Sequence, residues 1–140
     1  MDIGYRNKLA LVVILLNIVA VGILGAFGAI TRFTLSNWAS KFEMGGIPAG
    51  TLLVNAVGSL LLGIIIGATI LSEGLSERTR LALTAGFLGS FTTFSTFSVE
   101  TVQLFDQGRM GAAFTNVIAQ ITIGLVMAAV GFWGARVAIG

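Results

Sequence analysis

The uncharged residues form four long apolar windows, which short polar stretches separate. Each window is close to or longer than the ~20 residues that a helix needs to cross the hydrocarbon core of a bilayer. The windows run from Leu9 to Thr31, from Met44 to Ser72, from Leu81 to Val99 and from Met110 to Ala135. The pattern therefore predicts an all-α membrane protein with four transmembrane helices.

The four predicted spans cover about residues 9–33, 48–72, 79–105 and 110–137. No connection between them is large enough to fold by itself, so we predict one membrane domain over residues 1–140. Pro48 suits the first turn of the second span, where its missing N–H is not needed. Ser76 is expected to cap the third span.

The first window has one feature of a secretory signal peptide, because Arg6 and Lys8 precede its apolar stretch. That stretch is longer than the about 7 to 15 residues of a signal-peptide core. We therefore predict that the first window is a retained membrane helix.

The charged residues are few, 8 basic and 6 acidic, and most of them flank the windows. If successive helices alternate in direction, five basic residues lie on one side of the membrane and three on the other. This difference is too small to fix one orientation, so insertion in both orientations is allowed. The dispersed basic residues also cannot form a nucleic-acid-binding patch. The five are Arg6, Lys8, Arg78, Arg80 and Arg136, and the three are Arg32, Lys41 and Arg109.

The chain contains no cysteine and no histidine. Thiolate chemistry, disulfides, and proton relay or metal ligation by imidazole are therefore excluded. We predict no catalytic residues and no enzymatic activity. Nineteen glycines, many of them three or four residues apart, favour a closely packed, oligomeric helix bundle. Because four helices enclose little space, we expect any pathway to form between subunits.

Residues 86–99 combine six hydroxyl side chains with four phenylalanines inside an uncharged window. In a bilayer each hydroxyl needs a partner, commonly a backbone carbonyl, and this weakens the helix. We predict a break in the third span near Gly89 to Thr93. After the break, Phe94 and Phe97 share one helix face. A neighbouring polar face holds Thr92, Ser95 and Thr96. The plainer interpretation is that the rings pack in a core and the hydroxyls bond their own helix.

Two other helix faces have polar side chains at four-residue intervals. Thr51, Asn55 and Ser59 share one face of the second span, and Asn116 and Gln120 share one face of the fourth. Because an unpaired amide is unfavourable in a bilayer, these side chains either hydrogen-bond to other helices or face water.

Carboxylates are missing from the first, second and fourth spans, and Glu100 lies at the polar end of the third. A small proton-coupled multidrug exporter, the alternative for a protein of this size, normally needs a carboxylate buried within a helix. The available groups are amide N–H groups, hydroxyls, Arg32 and aromatic ring edges, and these suit an anion.

The third window resembles the characteristic motif of the CrcB/Fluc family of fluoride channels, in the run Gly86-Phe-Leu-Gly-Ser-Phe-Thr-Thr-Phe-Ser-Thr-Phe-Ser98 followed by Glu100. Two upstream segments are similar to the same family in order and spacing, Gly50-Thr-Leu-Leu-Val-Asn55 and Gly28-Ala-Ile-Thr-Arg-Phe33. The resemblance covers essentially the whole chain.

This resemblance implies a four-helix subunit of an antiparallel, dual-topology homodimer in the inner (plasma) membrane, which exports fluoride passively through two pores. Phe94 and Phe97 are then the pore phenylalanines, and Asn55 is the amide that donates to fluoride. The resemblance also implies a structural sodium ion at the dimer centre, held by the backbone carbonyls of Gly89 and Thr92. The other pathway residues that it implies are Thr51, Ser95, Thr96, Glu100, Arg32, Asn116 and Gln120.

Two parts of the chain depart from the family's pattern. The third-helix motif commonly reads Gly-Gly-Leu where this chain has Gly89-Ser90-Phe91, which changes packing but leaves carbonyl ligation possible. Some members have Tyr and Ser where Asn116 and Gln120 align. Besides the fluoride channel and the exporter, a non-transporting membrane assembly subunit is a third alternative.

Overall fold

The computed structural model describes residues 3–42, 44–71 and 74–140, and these residues fold almost entirely into helices. We number the α-helices in chain order. They are α1 (Ile3–Ala39), α2 (Ala49–Leu71), α3 (Glu77–Leu81), a π-helical segment (Ala82–Leu88), α4 (Gly89–Phe91), α5 (Phe94–Asp106) and α6 (Met110–Ile139).

Three of the described helices are long and apolar enough to cross a membrane, over Arg6–Ala39, Ala49–Ile70 and Met110–Ile139. The prediction of an all-helical membrane protein is confirmed to this extent. The fourth crossing, the break within it and the dimer stay predictions.

Local sequence signals determine where several elements begin or end. Pro48 directly precedes α2, and its carbonyl accepts a hydrogen bond from the Leu52 N–H at 3.2 Å. Ser76 caps α3 as predicted, because its Oγ accepts a hydrogen bond from the Thr79 N–H at 3.2 Å. Gly108 has φ of 71°, a left-handed conformation that glycine adopts easily, and it turns the chain between α5 and α6.

The backbones of α2 and α6 approach each other closely through glycines. A Cβ atom added at Gly63 would collide with the carbonyl oxygen of Ala128, and one added at Gly131 would collide with that of Leu60. Gly67 is equally close to the backbone of α6. Small residues allow such contact between membrane helices, where dispersion forces drive packing. These glycines therefore set the distance between α2 and α6.

A glycine also allows close contact between α1 and the π-helical segment. A Cβ atom at Gly28 would collide with the carbonyl oxygen of Phe87. Between these helices and α2 lies a small buried core of Val54, Leu88 and Phe91. This core holds the chain immediately before residue 92, where α4 ends.

Large apolar side chains cover the outside of the molecule, most densely along the first half of α1. Ile18 on this surface is 61% exposed, and its apolar neighbours along the helix are exposed as well. A water-soluble protein rarely leaves so large an apolar surface uncovered. The surface is that of a membrane protein, in which lipid covers such side chains.

Candidate functional site

Two residues in an extended conformation separate α4 from α5. Thr92 has φ −86° and ψ 159°, and Thr93 has φ −151° and ψ 112°. The side chain of Thr93 then caps α5, because its Oγ1 accepts a hydrogen bond from the Thr96 N–H at 3.2 Å. Both residues belong to the stretch rich in hydroxyls and phenylalanines.

Asn55 of α2 bonds both backbone polar groups of Thr93. The Thr93 N–H donates to Oδ1 of Asn55 at 2.8 Å, and Nδ2 of Asn55 donates to the Thr93 carbonyl at 3.1 Å. Nδ2 also donates to Oε1 of Gln120 on α6 at 3.1 Å. One side chain thus satisfies backbone groups that a continuous helix would pair internally, and it connects α2 both to the residues between α4 and α5 and to α6.

A cavity of about 320 Å³ lies beside this hydrogen-bond network and is lined in part by Asn55, Gln120, Phe94 and Phe97. The two ring centroids are 5.5 Å apart, with an angle of 64° between the ring planes. The edge of such a ring is the positive end of its quadrupole, so it offers a weak attraction to an anion. Phe97 is buried, whereas Phe94 is 79% exposed. The described residues that line this cavity include no Asp or Glu.

Gly89 and Thr92 also line this cavity, and the N–H groups four residues after them bond other acceptors. In an α-helix each carbonyl accepts from the N–H four residues later. Here the N–H of Thr93 donates to Asn55, and the N–H of Thr96 donates to the side chain of Thr93. The two carbonyl oxygens must therefore find partners outside the helical ladder, and oxygens of this kind suit a hard cation.

A second polar region lies close to the loop that precedes α2. Oγ1 of Thr51, which is buried, donates to Oε1 of Glu100 at 2.7 Å. Glu100 lines a cavity of about 440 Å³, and Arg109 lines the same cavity. Nη2 of Arg109 donates to the Gly46 carbonyl at 2.7 Å, which fixes the guanidinium against the loop. This cavity therefore has charged groups of both signs.

Arg32 lines a third cavity, of about 210 Å³, together with Thr51, Thr93 and Thr96. Thr93 also lines the first cavity, and Thr51 bonds Glu100 of the second. Two threonines therefore connect the three cavities. Ser95 is exposed, with its Oγ 3.4 Å from Oγ1 of Thr93.

Both amides on α6 are buried, and each makes one hydrogen bond to another helix. Nδ2 of Asn116 donates to Oγ1 of Thr101 at 2.9 Å, and Oε1 of Gln120 accepts from Asn55. Within the described part of the chain, Oδ1 of Asn116 and Nε2 of Gln120 have no hydrogen-bond partner. The same is true of Oε2 of Glu100. Each amide thus has one satisfied and one unsatisfied polar atom.

Two residues of this region were not predicted from the sequence. The backbone of Thr93 was not expected to have a side-chain partner. Thr101 was not expected to take part, yet its Oγ1 donates to the Phe97 carbonyl at 2.8 Å while accepting from Asn116. A signal for Thr101 existed, because it follows Phe97 by about one helical turn and shares its face. The backbone groups of Thr93 gave no comparable signal.

Membrane-crossing helices with amides, hydroxyls and aromatic edges between them define an all-helical membrane protein with a polar interior, the construction expected of channels and transporters. The family follows from comparison with known proteins. The family model described as CrcB-like protein, Camphor Resistance (CrcB), matches residues 19–132, and the chain belongs to this family.

Similar proteins from several bacteria are curated as fluoride-specific ion channels. FluC of Syntrophotalea carbinolica is 42% identical over 121 residues, which cover 86% of this chain and 98% of that protein. FluC of Geobacter metallireducens is 40% identical over 122 residues, 87% of this chain and 98% of that protein. FluC 2 of Bacillus cereus is 43% identical over 107 residues, 76% of this chain and 86% of that protein. The family resemblance inferred from the sequence is confirmed.

Proposed function

We propose that this chain forms a fluoride-specific ion channel, through which fluoride leaves the cytoplasm passively. One structural observation carries the proposal: two phenylalanine rings and two amides line a single cavity whose described lining includes no carboxylate. The names of the similar proteins, fluoride-specific ion channels, support it. In this proposal the protein is not an enzyme.

The chemistry of the cavity suits the hydration of fluoride. Fluoride is small and strongly hydrated, so a pore must replace the lost water with hydrogen-bond donors. A single strong site would retain the ion, and conduction therefore favours several weaker sites in series. Amide N–H groups, hydroxyls and ring edges are donors of this kind, and none of them has a net charge.

The proposed route begins at Phe94 and Phe97 and continues past Asn55 and Gln120. Thr93 lines both this cavity and the cavity of Arg32, which supports a connected route. Arg32 would attract anions from the water phase to that second cavity. The remaining residues of the route are Thr51, Ser95, Thr96, Glu100 and Asn116.

We assign the fourth membrane crossing to the helices from α3 to α5, with Thr92 and Thr93 as its break. Irregular backbone at membrane depth is tolerated only where protein buries it or a wet cavity borders it. The two hydrogen bonds from Asn55 to Thr93 support this assignment. The chain then forms one membrane domain, located in the plasma membrane because export from the cytoplasm requires that membrane.

The proposed assembly is an antiparallel, dual-topology homodimer. Phe94 lines the first cavity yet is 79% exposed, and a second copy of the chain would cover it. The small difference in basic residues between the two sides allows both orientations. A tag at the C-terminus should therefore be accessible from both faces of the membrane. Labelling from one face alone would contradict the antiparallel arrangement.

We also propose a structural sodium ion at the centre of this dimer, held by the carbonyls of Gly89 and Thr92 from both subunits. The loss of their helical N–H partners supports this role. Carbonyl oxygens suit a hard monovalent cation. Replacing sodium by a large organic cation should dissociate or inactivate the dimer. A dimer that stays intact and active under this exchange would contradict the proposal.

Purified protein in liposomes tests the proposed function directly. Liposomes loaded with potassium fluoride and treated with a potassium ionophore, which lets potassium leave and balance the charge, should release fluoride passively, without a pH gradient, as measured with a fluoride-selective electrode. Liposomes loaded with chloride are the control and should retain their ion. Transport that requires a proton gradient would indicate the exporter, and no transport would indicate an assembly subunit.

A further inference from the structure

Helix α1 extends beyond the helices that pack against it. It has 37 residues, whereas α2 has 23, so at about 1.5 Å per residue α1 is about 20 Å longer. Among the described residues, the first hydrogen bond from α1 to another helix is made by Asn17. The family match begins at residue 19, so it also leaves out the start of this helix. Residues 6–16 therefore form an extension of α1 outside the matched region.

The extension is apolar on every side between residues 9 and 16. Seven of these side chains are large and apolar, and each is at least 41% exposed. A helix that is apolar all round belongs in hydrocarbon. Leaving seven such side chains in water is more unfavourable than placing one cation below the membrane surface. We therefore expect the bilayer to cover these residues, with Lys8 near its surface. The seven are Leu9, Leu11, Val12, Val13, Ile14, Leu15 and Leu16.

The guanidinium of Arg78 then lies below the membrane surface. Its Nε donates to Oδ1 of Asn17 at 3.1 Å, which holds the group level with Asn17. Asn17 follows Lys8 by nine residues, about 13 Å along the helix. A positive charge at that depth is unfavourable unless the bilayer thins locally and a polar group reaches the charge.

The described part of the chain gives this guanidinium no negative partner. Arg78 forms no ion pair there, not even with the adjacent Glu77, and its hydrogen bond to Asn17 uses only Nε. The N–H groups on Nη1 and Nη2 are therefore available. A guanidinium presents these groups as a fork that matches the oxygens of a phosphate. Because Arg80 adds a second positive charge to α3, a lipid with a net negative charge fits better than a zwitterionic one.

We propose that an anionic phospholipid binds in the notch between α1 and α3, which we define by Asn17, Arg78 and Arg80. Its phosphate accepts hydrogen bonds from Nη1 and Nη2 of Arg78. Its acyl chains lie along the next turns of α1, where Ile18 and Ile23 are exposed. Lipids elsewhere around α1 keep their normal height, so this headgroup marks a local thinning of the bilayer. The notch is separate from the three cavities, whose described linings include none of these residues.

The test uses the full chain in liposomes with a single tryptophan beside the notch. Ile18→Trp supplies the reporter, and Trp38→Phe and Trp133→Phe remove the two native tryptophans. The liposomes contain phosphatidylglycerol, which is anionic, and phosphatidylcholine, which is zwitterionic. One of the two lipids has brominated acyl chains, because bromine quenches tryptophan fluorescence on contact. Exchanging which lipid is brominated gives the relative binding constant of the two lipids at the reporter.

We expect phosphatidylglycerol to bind about fivefold more strongly than phosphatidylcholine, the scale of one arginine near an anionic membrane surface. Equal quenching by both lipids would overturn the proposal, because the notch would then contain water or unselected lipid. No quenching by either lipid would also overturn it, since protein, such as a second copy of the chain, would then cover the reporter.

Arg78→Gln in the reporter chain should reduce the preference to within about 1.5-fold of equality. The matched control is Lys41→Gln, which also removes one positive charge but lies just beyond the other end of α1. This control should keep the fivefold preference. An equal fall in both variants would mean that the net charge of the protein attracts the lipid, and it would overturn the notch as a site.

Arg78→Lys provides a second variant in case Arg78→Gln fails to give monodisperse protein. Lysine keeps the positive charge and loses the planar fork, so the preference should fall at least about twofold. An unchanged preference would show that any cation at this position is sufficient, and it would overturn the forked phosphate contact.

Free phosphate is the other source of the same chemistry. Adding inorganic phosphate to the liposomes should leave the preference unchanged, because the exposed apolar surface of α1 favours a phosphate attached to acyl chains. Loss of the preference in phosphate, but not in chloride of equal ionic strength, would identify free phosphate as the ligand and overturn the lipid source. All of these measurements are independent of fluoride conduction, so they remain decisive if the proposed function fails.

Discussion

The two halves of α2 both contact α6, one half through glycine backbone and the other through a side-chain amide. Around Gly63 and Gly67 the two backbones touch without polar side chains between them. About two turns earlier, Asn55 bonds Gln120 through side-chain amides. The contact of the glycine half, around Gly63 and Gly67, depends on the absence of side chains. The contact of the amide half, around Asn55, depends on particular hydrogen-bond donors and acceptors. One helix pair therefore combines a packing contact with a candidate ion site.

This difference predicts separate consequences of substitution. A change in the glycine half alters the distance between two backbones, so it should affect folding and assembly. A change in the amide half removes donors from a cavity whose wall is otherwise held by other contacts, so it should affect conduction first.

Gly131→Val should prevent recovery of folded protein. Even a Cβ atom at this position collides with the carbonyl oxygen of Leu60, and valine adds two methyl groups. We expect a loss of at least about 3 kcal/mol, the upper part of the usual range for overpacking. Size-exclusion chromatography in detergent measures the outcome. Gly134→Ala is the control, because a Cβ atom there meets nothing within 4 Å, and it should elute like wild type.

Asn55→Asp should reduce fluoride efflux by about 100-fold while leaving the protein monodisperse, because it places negative charge beside the anion and removes the N–H groups that bond the Thr93 carbonyl and Gln120. The liposome efflux assay measures the loss, with Asn17→Asp as the matched exchange of amide for carboxylate in another helix. An equal loss in both variants would mean that carboxylates in membrane helices are harmful wherever they lie. The proposed difference, in which the glycine half of α2 affects folding and the amide half affects conduction, would then lack support.

Phe94→Ile and Phe97→Ile should each reduce efflux at least about tenfold, since isoleucine keeps an apolar side chain of similar bulk and loses the ring quadrupole. Chromatography should show intact protein for both variants. Near wild-type efflux in both would mean that the rings only pack, as in the plainer interpretation of the sequence.

Thr51→Val should have the smallest effect, about a threefold fall in efflux, because one hydrogen bond to Glu100 is lost at nearly constant shape. The same efflux assay measures it. A loss as large as that of Asn55→Asp would extend the conduction site to the Thr51–Glu100 pair and redefine the boundary of the amide half.

The local parts of this molecule could be predicted from the sequence. Uncharged windows indicated the long apolar helices, and the Ser76 cap follows from residues within one turn of each other. The four-residue spacing of Asn116 and Gln120 put both on one face of α6, and both are buried there. The family was predicted from its motifs and is confirmed by the family match. All of these signals lie within short stretches of chain.

The contacts between helices could not be predicted in the same way. The pairing of Asn55 with Gln120 depends on the register of α2 against α6, which is set by glycine contacts at the other half of the interface. The bonds from Asn55 to the Thr93 backbone depend on where α4 ends. The π-helical segment before α4 also had no recognisable sequence signal. Periodicity identifies a polar face but does not identify its partner.

The gap between α4 and α5 has one more consequence, which arises from the backbone alone. The carbonyl end of one helix and the amide end of the next lie two residues apart. Aligned peptide dipoles give such ends partial charges of about −0.5 and +0.5. The first end favours a cation and the second an anion, so one interruption produces a local field of both signs without an ionised side chain. No change of pH switches that field off, and no single side-chain substitution that preserves the start of α5 removes it.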